Sequence, residues 1–286
     1  MPFRRGRREA ALLIPELGKW DGDSCAHKWI GGLIQCAKAT RWPGEGMMTT
    51  SASGQTASER YPQAASWMHT ILVLAVLGAF AVWQKFRMDR LSVAANPNRM
   101  RGYLIGICFE WVLFAVVVVG VRRRGVSLCV VLGDRWSSAR QVLRDIGIAL
   151  GFWIVATVVL WGVGWLLRIH QDGPAITAML PHGVLEVAVW IALSVTAGIC
   201  EEAIFRGYLQ AQFMALTKNA PAAILLSAVI FGAAHAYQGF KMTVLIAVYG
   251  LMFGSLAYWR RTVRTGMIAH AWQDSLNGVL AAVMRH

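Results

Sequence analysis

Val184 to Arg206 reads VLEVAVWIALSVTAGICEEAIFR, and this stretch decides the fold. The residues before the two glutamates are almost all apolar and do not alternate with polar ones. They therefore suit a membrane helix rather than a strand of a closed barrel. The apolar character continues past Arg206 to about Leu216. At ~1.5 Å per residue, that run is longer than a bilayer core requires, so it tilts or leaves the membrane as an amphipathic end. Glu201 and Glu202 lie near its middle. A charge at bilayer depth costs roughly 3 kcal/mol on insertion scales, so adjacent carboxylates there need a partner or a function.

Working outward, six further apolar runs appear. They cover about Trp67–Trp83, Tyr103–Val121 (with Glu110 in its middle), Ile146–Leu167, Ala222–Tyr237, Met242–Trp259 and Gly266–Met284. Trp67 and Trp83 bracket the first run as interface anchors. Asp172-Gly173-Pro174 marks a turn, and Asn219-Ala220-Pro221 breaks the chain just before a helix start suited to Pro221. Composition agrees: 56% of the 286 residues are hydrophobic and 15% are charged, where a soluble domain carries about 25% charged residues. The expected fold is all-α, a polytopic transmembrane bundle of about seven spans with a polar site buried between the C-terminal helices. Residues 1–65 form a basic tail expected to be disordered, with Met47 and Met48 as alternative starts. Residues 66–183 supply the N-terminal membrane helices, and 184–286 the core that holds the glutamates. The Arg cluster at Arg4, Arg5, Arg7 and Arg8 precedes an apolar segment too short for a signal peptide, because Pro15 and Glu16 interrupt it.

The net charge is +13, yet nucleic acid is not the expected partner. The arginines and lysines sit mainly in the tail and in short loops beside apolar runs, where anionic lipid headgroups attract them. The basic loops at 122–145 and 260–264 are separated by four spans, so they share one side of the membrane, read as the cytoplasm. The basic loop after the first span votes for the opposite side. Five cysteines (Cys25, Cys36, Cys108, Cys129 and Cys200) show no C-x-x-C pair or zinc-ribbon spacing.

Three apolar segments each carry a polar face. Glu202 and Arg206 are four apart and share a helical face, which makes Arg206 the structural partner of Glu202. Glu201 points about 100° away with no local cation, the setting of a general base. His235 lies one turn after Phe231, among the small residues Gly232, Ala233 and Ala234. His270 and Asp274 are again four apart, and Asp274 is placed to orient the imidazole or to make a second contact to substrate. Asn277 follows on the same face. Converging these faces in one bundle satisfies all of them, whereas separation strands each in lipid.

The ordered motifs E-E-x-x-x-R, F-x-x-x-H and H-x-x-x-N/D on successive apolar segments resemble the CAAX protease and bacteriocin-processing family. That family includes the Ras-converting CAAX endopeptidase and the bacterial membrane proteins called Abi or CPBP proteases. The resemblance spans roughly residues 184–284. It implies a multi-pass enzyme, in a bacterial cytoplasmic membrane, that cuts peptide or lipidated protein substrates of CAAX or bacteriocin-like type. Glu201 would activate water, His235 would help hold it, Glu202 and Arg206 would support the site, and His270 with Asp274 would bind the scissile carbonyl or its oxyanion. Asp274 departs from the Asn of the eukaryotic enzymes, and an ionised carboxylate there repels an oxyanion. It must be protonated, orient His270, or bind a metal. Members are often labelled metalloproteases, and Glu201, His235, His270 and Asp274 are the zinc candidates, although H-E-x-x-H is absent. The metal-free reading is preferred. A non-catalytic scaffold or immunity protein and a proton-coupled transporter are the alternatives.

Overall fold

The computed structural model describes residues 63–91, 98–169 and 178–284. The tail at 1–65, apart from 63–65, and the turn at Asp172-Gly173-Pro174 lie outside them. Among the described residues every regular element is helical. The helices are α1 (Trp67–Leu91), α2 (Arg99–Arg123), the short α3 (Leu128–Leu132), α4 (Ala139–Leu166) and α5 (Gly183–Glu201). The chain then passes without a break through a π-helical segment, Glu202–Leu209, into α6 (Gln210–Thr217). Next come α7 (Ala220–Ala234), a 3-10 turn at Ala236–Gln238, α8 (Phe240–Arg260) and α9 (Arg264–Val283).

Each apolar run of the sequence has become a helix. Five have the length and hydropathy to cross a bilayer: α1, α2, α4, the continuous 183–217 rod and α8. Helix α7 is shorter, and α9 is diluted by His270, Gln273, Asp274 and Asn277. Large apolar side chains such as Trp161, Trp165, Leu166 and Leu185 project outward, as expected of surfaces that meet lipid rather than water. The chain is an integral, multi-pass membrane protein.

The observed ends differ from the expected ones for identifiable reasons. Helix α4 begins at Ala139, about two turns before the predicted Ile146. The Ser138 side chain caps it by accepting from the Gln141 amide. Its first turns tolerate Asp145 because Arg260 Nη2 and Trp136 Nε1 each donate to that carboxylate at 2.8 Å. Helix α1 runs past Trp83 to Leu91, carried by Lys85 and Asp89, which pair one turn apart. Asn219 caps α7 by accepting from the Ala222 amide at 2.9 Å, and Pro221 occupies the first turn as anticipated.

The two basic loops at 122–145 and 260–264 touch each other. Thr262 Oγ1 and Arg264 Nη2 donate to the carbonyls of Leu132 and Gly133, at 3.1 and 2.8 Å. Two apolar cores flank the middle of the bundle. One joins α1, α2, the π-helical segment and α7 around Val73, Leu113, Val117, Ile204 and Phe231. The other joins α4, α8 and α9 around Ala149, Tyr249, Phe253 and Ala269. All eight residues of the π-helical segment are buried. Its widened winding is seen where the Gln210 amide donates to the Phe205 carbonyl, five residues back. Helices α5 and α9 close tightly on each other at Gly198, where a Cβ would lie 2.8 Å from the Ala271 nitrogen and 2.9 Å from the Met267 oxygen. That approach, one turn from Glu201 and Glu202, carries His270 to them.

Candidate active site

The six residues singled out from the sequence come together. Glu201 ends α5, Glu202 and Arg206 lie on the π-helical segment, His235 follows α7, and His270 and Asp274 project from α9. His235 departs slightly from expectation. The α7 helix stops at Ala234 rather than running to Tyr237, and His235 is its C-cap, with φ −101° and ψ 12°. Gly239, at φ 98°, then turns the chain into α8. His235 therefore sits where a helix ends on the cavity, not midway along a lipid-facing rod.

The two adjacent glutamates occupy different environments. Glu202 and Arg206 are essentially inaccessible, at 0% and 1% exposure. Glu202 Oε1 lies 3.0 Å from Arg206 Nη1 and 2.9 Å from His270 Nδ1. The Arg206 guanidinium is further held between the Phe231 and Phe253 rings, with Cζ 4.0 and 5.0 Å from their centroids. Stacking of this kind suits a planar cation stripped of water. Gly266 leaves the room Glu202 needs, since a Cβ there would stand 2.9 Å from Glu202 Oε2.

Glu201 instead faces two imidazoles. Its Oε1 is 3.8 Å from His235 Nε2, and its Oε2 is 3.7 Å from His270 Nε2. Oε2 is buried without a hydrogen-bond partner. The tautomers follow from the other ring nitrogens. His235 Nδ1 donates to the Phe231 carbonyl at 2.9 Å, so in neutral His235 the lone pair on Nε2 faces Glu201. His270 Nδ1 donates to the Glu202 carboxylate, which aims Nε2 at Glu201 and at Asp274 Oδ2, 3.5 Å away. The orienting contact on His270 thus comes from Glu202, and Asp274 stands on the cavity side of the ring. The His270 ring also stacks on Phe253, with centroids 5.2 Å apart and planes 26° apart.

A seventh residue belongs to this cluster. Glu110 of α2 lines the same cavity as Glu201 and faces its carboxyl. The sequence signal was present, a lone carboxylate in the middle of the second span. No spacing rule linked it to motifs some ninety positions later. Glu110, Glu201, His235 and Asp274 line one cavity of about 200 Å³, which extends along α1, α2 and α5 to Arg87, Arg99 and Met179.

The zinc candidates do not close into a ligand shell. No group of three His, Cys, Asp or Glu side chains among the described residues is arranged to hold a metal ion.

Residues 183–276 match the family model described as type II CAAX prenyl endopeptidase Rce1-like. The match covers that segment, about a third of the chain. It includes Glu201, Glu202, Arg206, His235, His270 and Asp274, whereas Glu110, Arg87 and Arg99 lie before it. No curated protein and no solved structure matches the chain. Membership of the Rce1-like segment supports a membrane endopeptidase in general terms, acting on a membrane-associated protein or peptide.

Proposed function

We propose that the chain cuts a peptide bond of a membrane-associated substrate with a water molecule activated by Glu201. One observation carries this reading: the Glu201 carboxylate sits between two imidazole Nε2 atoms, at 3.8 and 3.7 Å, on the wall of a cavity. Those gaps exceed a direct hydrogen bond and suit a small oxygen species held between carboxylate and ring. Glu201 takes a proton as water adds to the scissile carbonyl carbon, and the lone pair of His235 Nε2 helps hold that water. The carbonyl oxygen becomes an oxyanion. His270, carrying a second proton on Nε2, donates to it while Glu202 and Asp274 balance the imidazolium charge. The tetrahedral species then collapses, the C–N bond breaks, and Glu201 returns its proton to the departing amine.

Asp274 accordingly acts on the cationic ring and does not meet the oxyanion as a bare charge. Glu202 and Arg206 fix the ring from below, out of reach of substrate. The test uses the full chain in detergent micelles or liposomes with an S-prenylated CAAX-type peptide, product being read by mass spectrometry. Glu201→Gln should insert and melt like the unaltered protein while cleavage falls by roughly 10³-fold or more, the size expected when a general base and its water are both lost. Proteolysis surviving in that variant defeats the assignment.

A further inference from the structure

One wall of the cavity that holds Glu201 is an indole. Trp190 of α5, half-buried, lines it together with Tyr103 and Asp274. Its Nε1 donates to the Asp274 backbone carbonyl at 2.7 Å. A carbonyl inside a helix already accepts from the amide four residues on, here that of Gly278. The indole therefore takes the second lone pair. Gly278 is also what admits the ring, since a Cβ there would come 2.2 Å from Trp190 Nε1. On α2, the Tyr103 ring meets the indole edge to face, with centroids 5.5 Å apart and planes at 82°. Tyr103 is itself tied down, because its hydroxyl donates to the Met179 carbonyl.

This contact is a second fixing point between α5 and α9. The other is Gly198, packed on Met267 and Ala271. On both helices the two points lie about two turns, or roughly 11 Å, apart. The helices run antiparallel, with Gly198 on Met267 and Ala271, and Trp190 on Asp274 and Gly278. A helix touched at one point can pivot or slide, whereas two points fix its register. His270 and Asp274 both fall in the stretch of α9 between Met267 and Gly278. The Asp274 side chain is 36% exposed, against 11% for Glu201. Packing restrains it least, so the backbone beneath it matters most.

We infer that Trp190 is a positioning residue: by holding the Asp274 carbonyl it fixes the register of α9 and keeps the Asp274 carboxylate against His270. That carboxylate stands 3.5 Å from His270 Nε2. The inference rests on the peptidase reading, in which Asp274 balances the imidazolium charge. It adds a residue that acts on the site without meeting a reacting atom.

Trp190→Phe keeps an aromatic wall and removes the N–H. On the full chain in liposomes, with the S-prenylated CAAX-type peptide, kcat should fall about 10-fold while KM changes by less than about twofold, the scale of one lost hydrogen bond. The loss should vanish once the carboxylate is gone, so Trp190→Phe/Asp274→Ala should cleave no more slowly than Asp274→Ala. Gly278→Ala should reproduce the loss in kcat with Trp190 intact, although alanine ordinarily strengthens a helix. Hydrogen–deuterium exchange read by mass spectrometry needs no substrate. Trp190→Phe should raise exchange of the α9 amides from Ala271 to Gly278 by about 5-fold or more and leave α7 unchanged. Unaltered exchange in α9, a loss seated in KM, or losses that simply multiply with that of Asp274→Ala each overturn the inference. If the unaltered chain fails to hydrolyse the peptide, the peptidase reading falls, and α9 exchange alone decides whether Trp190 holds the helix.

Discussion

Removing the charge of Glu202 tests the electrostatic logic of the site. Glu202 and Arg206 are an ion pair taken wholly out of water, at 0% and 1% exposure, with Oε1 and Nη1 3.0 Å apart. Breaking such a pair from one side costs about 3–5 kcal/mol, because the surviving charge stays buried without compensation. Here each survivor keeps partial support. After Glu202→Gln the guanidinium remains between Phe231 and Phe253, and a desolvated cation–π contact returns about 2 kcal/mol. After Arg206→Met the carboxylate keeps His270, 2.9 Å away. Both single variants should therefore fall near the lower end, losing about 3 kcal/mol each. The double variant Glu202→Gln/Arg206→Met leaves no buried charge in the pair, and its thioether fits between the two aromatic rings. Its loss should be only about 1–2 kcal/mol, a coupling of roughly 4 kcal/mol. Denaturant unfolding in detergent micelles, followed by tryptophan fluorescence, gives the cycle. Single variants that each cost under about 1 kcal/mol and simply add would refute the reasoning, since the pair would then not be sealed from water. Activity should not recover in the double variant, because a neutral residue 202 no longer supports the His270 imidazolium.

Three further outcomes follow from the same geometry. Gly198→Val should destabilise the protein by about 1–3 kcal/mol and lower kcat at unchanged substrate affinity, because α9 must back away and take His270 with it; a melting curve and a kcat/KM split check this. Glu110→Gln keeps a polar side chain on the cavity wall shared with Glu201 and should keep most of the cleavage rate, whereas Glu110→Leu removes a polar group from that wall and should lose about 10-fold or more. Dialysis against a chelator should leave the cleavage rate unchanged; a loss that added zinc restores, with stoichiometric metal by elemental analysis, would move the chemistry from the side chains to an ion.

Much of this arrangement could be read before any coordinates. Continuous apolar runs specify membrane helices because lipid leaves the backbone no other partner, and all seven runs are helical. The pairing of Glu202 with Arg206 follows from a four-residue spacing and from the cost of an unpaired charge. Contact between the loops at 122–145 and 260–264 agrees with an even number of crossings between them. What escaped was whatever depends on partners distant in sequence. Asp145 looked like a loop residue until Arg260 and Trp136 supplied its hydrogen bonds. Glu110 carried the right chemistry in the wrong place, and only the packing of α2 on α5 put it against Glu201. The π-helical winding at Glu202–Leu209 left no mark in residue type or period. The four-residue spacing put Asp274 beside His270, where it lies 3.5 Å from Nε2, but gave no hint that Nδ1 of the ring reaches Glu202 across the interface that Gly198 and Gly266 open.

That last exchange explains why two neighbouring, chemically identical side chains have different assignments. A carboxylate that meets a guanidinium, an imidazole N–H and no solvent is held by its partners and has nothing left to give to a substrate. This is Glu202. A carboxylate on a cavity wall, facing two imidazole Nε2 atoms, has both room and reason to exchange protons. This is Glu201. The wide π-helical turn begins between them, and its buried residues point Glu202 and Arg206 into the packed core while Glu201 keeps the cavity. The glutamate that stabilises the bundle and the glutamate that works in it are thus told apart by what surrounds them. Losing the first should show mainly in unfolding and losing the second mainly in turnover.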